Sequence, residues 1–99
     1  MQIQSVKHKG LRALFEKPGN SVKGLDAQTV KKIRMMISQL VTNNHPNDLR
    51  AGFPGWKVHN LPPNFPNKWS LTVTGNYRLT FTFDPKTGDI TDLDYEDYH

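Results

Sequence analysis

Apolar positions along this chain change their spacing near its middle, and the change marks where helix gives way to sheet. In the first half they recur every three or four residues. The segment LRALFEK places Leu11, Leu14 and Phe15 on one helical face, and Pro18 and Gly19 end it, which predicts one or two helical turns after a short extended start over residues 3–6. The run LDAQTVKKIRMMISQLV repeats Val30, Ile33, Ile37, Leu40 and Val41 at the same period. Asp26 is a natural N-cap there, and Leu25 is placed to staple against Val30 across it, so a second, amphipathic helix is expected. TNNHPNDLRAGFPG has the residues of a loop.

From Trp56 onward the period is two. In WKVHNL, Trp56 and Val58 are expected on one side of a strand, Lys57 and His59 on the other. In WSLTVTGNYRLTFTF the apolar set is Trp69, Leu71, Val73, Tyr77, Leu79, Phe81 and Phe83, alternating with Ser70, Thr72, Thr74, Arg78, Thr80 and Thr82. Facing residues of a hairpin share a side of the sheet. A two-residue turn at Gly75 and Asn76 would set Val73 against Arg78 and mismatch every later pair. A three-residue loop, residues 74–76 with a bulge, instead pairs Val73 with Tyr77, Leu71 with Leu79 and Trp69 with Phe81, and is the expected connection. DPKTGD turns the chain again. ITDLDYED offers a last strand whose facing the pattern does not fix, because Leu93 and Tyr95 alternate out of phase with Ile90. The expected fold is α+β: an N-terminal strand and two helices packed on one face of an antiparallel sheet whose other face is polar.

Composition sharpens this picture. At 99 residues the chain has room for one core, so residues 1–99 are expected to form a single domain. The absence of cysteine removes disulfides and thiolate metal sites, and MQIQSVKHK has no apolar run of signal-peptide or membrane length, so a cytoplasmic protein is expected. Charge is unevenly spread. Residues 84–99 hold six acids against Lys86, whereas residues 1–83 hold twelve Lys and Arg against Glu16, Asp26 and Asp48. A basic body with an acidic end points to a polyanionic partner. On the second helix Lys31, Lys32 and Arg34 form either a solvated face or an RNA-facing patch.

Pairing of neighbouring strands would bring Lys57, His59 and Arg78 together on the polar face, with the chain's end nearby. Cutting RNA without a metal needs a base for the 2′-hydroxyl, a cation for charge building on the phosphate and an acid for the departing 5′-oxygen. Imidazole and guanidinium suit those tasks, and His59, His99 and Arg78 would supply them. An ordinary exposed strand histidine and an arginine paired with a carboxylate would show the same residues. His8, His45, His59 and His99 lack metal-ligand spacing, so no metal or other cofactor is expected, and there is neither a phosphate-binding glycine loop nor a nucleophile elbow.

VKHKGLRALFEK, WKVHNL, WSLTVTGNYRLTFTF and the terminal DYEDYH together resemble, in the same order and over almost the whole chain, the HigB-type toxins, or plasmid maintenance killer proteins, of the RelE/ParE superfamily. The resemblance implies a RelE-like fold and a toxin of a type II toxin-antitoxin system: an endoribonuclease, or mRNA interferase, that cuts mRNA in the ribosomal decoding site. It also implies a HigA-like helix-turn-helix antitoxin partner, through which alone the toxin meets operator DNA. The family's strand histidine falls on His59, its phosphate-facing arginine on Arg78, and its terminal acid, tyrosine and histidine on Asp97, Tyr98 and His99. On that likeness His99 or His59 transfers protons, Asp97 orients an imidazole, and Tyr98 stacks on a base or donates to phosphate, while Lys57 adds charge. Family members often read H-P-L-K-G after the strand histidine. Here Pro62 stands where that lysine is expected, and Lys68 or Lys57 is the candidate substitute. The alternatives are a ParE-like toxin that binds DNA gyrase without nuclease chemistry, or a non-catalytic RNA- or protein-binding module; the terminal D-Y-H with His59 favours cleavage.

Overall fold

The computed structural model describes residues 1–19, 21–61 and 66–98. Five strands form one sheet in the order β1-β5-β4-β3-β2: β1 (Gln2–Ile3), β2 (His59–Asn60), β3 (Lys68–Thr72), β4 (Tyr77–Asp84) and β5 (Asp89–Asp97), with helices α1 (Lys9–Glu16) and α2 (Ala27–Thr42) between the first two. The expected α+β layering is present. The sheet is mixed, however, because β1 lies parallel to β5 while β2 to β5 pair antiparallel. No helix among the described residues is long and apolar enough to cross a membrane.

The core fills the space between the helices and one sheet face. Leu11 and Leu14 of α1 and Val30, Ile33, Met36 and Leu40 of α2 meet Trp69, Leu71, Val73, Leu79, Phe81, Phe83, Ile90 and Leu93. Asp26 caps α2 as expected, its Oδ1 accepting the Thr29 amide at 2.8 Å. Two expected core positions are corrected: Phe15 and Val41 are 49% and 46% exposed. Each sits about 100° round its helix from a buried leucine, Leu14 or Leu40, far enough to leave the packed stripe. Met36, passed over by the pattern, is fully buried instead.

The hairpin follows the three-residue loop. Trp69 pairs with Phe81 and Leu71 with Leu79, and the Val73 amide donates to the Tyr77 carbonyl at 2.9 Å. β5 resolves the phase conflict in its sequence. Thr82 faces Thr91 but Thr80 faces Asp94, so Asp92 and Leu93 together oppose Phe81, and Asp92 takes a left-handed conformation at φ 53°. This extra residue lets both Ile90 and Leu93 turn into the core. The bulge is held from outside, the Asp92 amide donating to Ser5 Oγ at 2.8 Å and the Leu93 amide to the Ser5 carbonyl at 3.1 Å.

The segment before β3 departs from the expected strand. Its register with β3 begins at His59 and Asn60, and the Leu61 amide donates to the Lys68 carbonyl at 2.8 Å. Pro54, with φ fixed and no amide proton, opens a 3₁₀ turn over Pro54–Trp56, and Trp56 is buried there with its ring stacked 4.0 Å from that of Phe53. Lys57 then turns left-handed at φ 47°. The preceding loop holds another 3₁₀ turn, Pro46–Leu49, capped by His45, whose Nδ1 accepts the Asn47 amide at 3.0 Å and whose ring meets Trp69 and Phe83 edge-on.

Candidate active site

The sheet face turned away from the helices is ordered by register into rows of facing side chains. One row runs His59, Ser70, Thr80, Asp94; the next, toward the 74–76 turn, runs Thr72, Arg78, Glu96. His59 and Arg78 therefore point to the same side. They lie two strands apart and two residues out of step, roughly 12 Å between backbones at ordinary sheet spacings. The Arg78 guanidinium is held toward the 74–76 turn, so what the two residues share is the face of the sheet.

The left-handed turn at Lys57 brings its carbonyl within 2.7 Å of His59 Nδ1. A carbonyl only accepts, so Nδ1 carries the proton and donates it, and the lone pair of the neutral ring sits on Nε2. The Arg50 Nε–H donates to the Val58 carbonyl at 2.9 Å and steadies the same approach. His59 is exposed, as is Lys57. Arg78 is anchored by one nitrogen: Nη1 donates to the carbonyls of Thr74, Gly75 and Tyr77 at 3.1, 2.8 and 3.0 Å. Nε and Nη2 make no hydrogen bond among the described residues.

Glu96 and Thr80, which sequence reasoning did not single out, tie this face together. Glu96 accepts a short hydrogen bond from the Thr80 hydroxyl and lies 3.7 Å from Lys68 Nζ. Thr80 stands in the polar set of the β4 alternation, whereas the direction of Glu96 becomes readable only once the β5 bulge is known. Ser70 and Thr72, on the same face, have buried hydroxyls that form no hydrogen bond among the described residues. Tyr98 is fixed by its amide, which donates to the Asn76 carbonyl at 2.6 Å. Its phenol is pushed above the usual tyrosine range by partial burial and then by the Glu96 carboxylate, with Arg78 pulling the other way. Tyr98 therefore stays protonated, and a hydrogen-bond donor, throughout the neutral range.

Not every expected site residue lies here. Asp97 faces Tyr77 across β4 and β5 and lines a cleft of about 510 Å³ on the helix side of the sheet, turned away from Arg78. Arg34 donates to the carbonyls of Leu14, Lys17 and Gly19 at 2.9, 2.8 and 2.9 Å, closing the C-terminal end of α1, and Lys32 donates to the Val73 carbonyl. These two, with the exposed Lys31, belong to the helix layer. His99 and Pro62 lie outside the described residues. Among the described residues no three His, Asp or Glu side chains gather as a metal site requires.

Two comparisons with known proteins cover nearly the whole chain. A family model described as HigB-like toxin, the RelE-like toxin of the type II toxin-antitoxin system HigB, matches residues 4–99. Endoribonuclease HigB of Proteus vulgaris is 40% identical over 97 residues, spanning 98% of this chain and 99% of that protein.

Proposed function

This chain belongs to the HigB-like, RelE-like toxins of type II toxin-antitoxin systems, and from that membership we propose how its open sheet face cuts RNA. The protein is a toxin and an endoribonuclease, as its near-full-length identity to an enzyme of that name supports. His59 Nε2 takes the proton of a ribose 2′-hydroxyl. The freed oxygen attacks the adjacent phosphorus, the P–O5′ bond breaks, and an acid returns a proton to O5′, leaving a 2′,3′-cyclic phosphate and a 5′-hydroxyl. The Nε–Nη2 edge of Arg78 takes two phosphate oxygens and stabilises the charge that gathers on them. Tyr98 donates a hydrogen bond to the same group. The family likeness offers His99 as the second proton-transfer group, which with His59 as base leaves it the acid's place in this proposal, and Asp97 tunes that end of the chain from behind. Lys57 and Lys68 add positive charge, and Lys68 stands in for the lysine that Pro62 replaces.

A type II toxin has an antitoxin partner. We assign a HigA-like helix-turn-helix protein to that place, the cytoplasm as the setting, and mRNA on the ribosome as the target. Support for the ribosome is physical: a shallow face with a few cations holds free RNA weakly, whereas a ribosome presents mRNA already ordered, removing much of the entropic cost of alignment.

The observation that carries this reading is the Lys57 carbonyl bound to His59 Nδ1, which makes Nε2 the basic nitrogen on the side shared with Arg78. The test uses the purified protein with defined transcripts, free and loaded on ribosomes. His59→Ala is expected to slow cleavage by roughly 10²- to 10⁴-fold, and a 2′-deoxyribose at the cut position to abolish it. Cleavage that survives the deoxy substitution refutes attack by the 2′-hydroxyl.

A further inference from the structure

On the helix side of the same sheet end, a cleft of about 510 Å³ opens between the start of α2 and the ends of β4 and β5. Its floor is aromatic. Tyr77 and Tyr95 stack with ring centres 4.9 Å apart and planes within 8° of parallel, and His8 meets Tyr95 edge-on at 5.7 Å. Inside this group His8 is fixed, because its Nδ1 accepts the Leu11 amide as the N-cap of α1. Tyr77 is different: it is 39% exposed, so the outer partner of the two-ring stack reaches solvent. Around it the rim is polar, with Lys23 as a donor, the carboxylates of Asp26 and Asp97 as acceptors, and Thr74, whose side chain already bonds the Tyr95 phenol. A flat apolar surface edged by hydrogen-bonding groups, in a cleft large enough for a small molecule, suits a planar heterocycle with polar edges.

The neighbouring residue says where such a ring would come from. Tyr77 opens β4 beside the 74–76 turn, and Arg78 follows it on the opposite face. A strand of RNA with a phosphate on Arg78 can pass over that turn and lay its next base against Tyr77. We propose that this cleft is a subsite for a nucleobase flanking the cut, which continues the Tyr77–Tyr95 stack as its third ring. The inference rests on the RNA-cleaving reading above and extends it: the open face performs the reaction, and the helix-side cleft grips a neighbouring base.

The test pairs a protein change with a substrate change, using ribosome-loaded and free transcripts that carry an abasic nucleotide at each position beside the cut in turn. Tyr77→Leu is expected to slow cleavage of intact RNA roughly tenfold, the scale of one base–aromatic stack. One abasic position is expected to slow the unmodified protein by the same factor, and the two changes together to cause no further loss. Tyr77→Phe, which keeps the ring, should recover most of the activity that Tyr77→Leu loses, and circular dichroism checks that each variant is folded. Losses that multiply at every flanking position, or a Tyr77→Leu protein of full activity, overturn the subsite alone. An unmodified protein that cuts no RNA in either setting overturns the nuclease reading itself.

Discussion

His59 takes its chemical role from the backbone two residues before it. A left-handed non-glycine residue costs on the order of 1 kcal/mol, and Lys57 adopts that conformation where its carbonyl fixes the tautomer of a histidine on the open face. The buried hydroxyls on that face are a second local cost. Leaving a buried donor without a partner is worth about 1–3 kcal/mol, and the Thr72 hydroxyl, beside Arg78 in register, is in that position. Thr72→Val keeps the shape and removes the unmet donor. It is expected to raise unfolding stability by about 1 kcal/mol, read from urea denaturation, and a loss of stability would show that the hydroxyl has a partner in solution. Neither cost was legible in the sequence. WKVHNL alternates like a strand, and nothing in that alternation signals that Pro54 would wind the chain into a 3₁₀ turn and delay the pairing with β3 to His59.

Among the elements, α2 was the most legible, because its N-cap and apolar stripe are both written in residue types. The Asp26 carboxylate sits below its ordinary range, first because it accepts the Thr29 amide and then because it accepts the Thr29 hydroxyl. A carboxyl lowered by folding contributes stability above its unfolded pKa, near 4, and that contribution fades as pH falls through the folded value. Asp26→Ser keeps a cap without the titrating group, so its stability is expected to lose this acid-dependent component; the check is the denaturation midpoint compared at pH 3 and pH 6. The outer face of α2 was less legible. Arg34 reads as a surface charge, yet its guanidinium closes the carbonyl end of α1, a role set by where two helices cross and not by spacing within either. The 73-to-77 hairpin was recovered because a wrong loop length would have mismatched every later pair. β5 was not, since a bulge is an extra residue and alternation has no symbol for it.

At the scale of the molecule, the sheet separates two tasks. Its helix side holds the core and, at one end, the aromatic cleft; its open side carries His59, Arg78, Lys68 and Tyr98. The positive charge of the chain is spread over both layers, and only part of it lies where the proposed reaction occurs. With Lys57, Lys68 and Arg78 as the phosphate contacts, binding of single-stranded RNA should weaken with salt at a log–log slope of roughly −2, measured by fluorescence anisotropy between 50 and 200 mM. A slope several times steeper would mean that Lys31, Lys32 and the rest of the helix layer also meet the phosphates.

The single extra residue in β5 reaches further than the core it helps to fill. Every side chain after it takes its direction from that count: positions 94, 96 and 98 open outward and 95 and 97 inward only because Asp92 is there to be skipped. Removing one residue from this stretch, with no change to any reacting group, would exchange the directions of Tyr98 and Asp97 and leave the outward surface without its phenol. Tolerance to substitution at this edge strand is therefore a separate matter from tolerance to a change in its length.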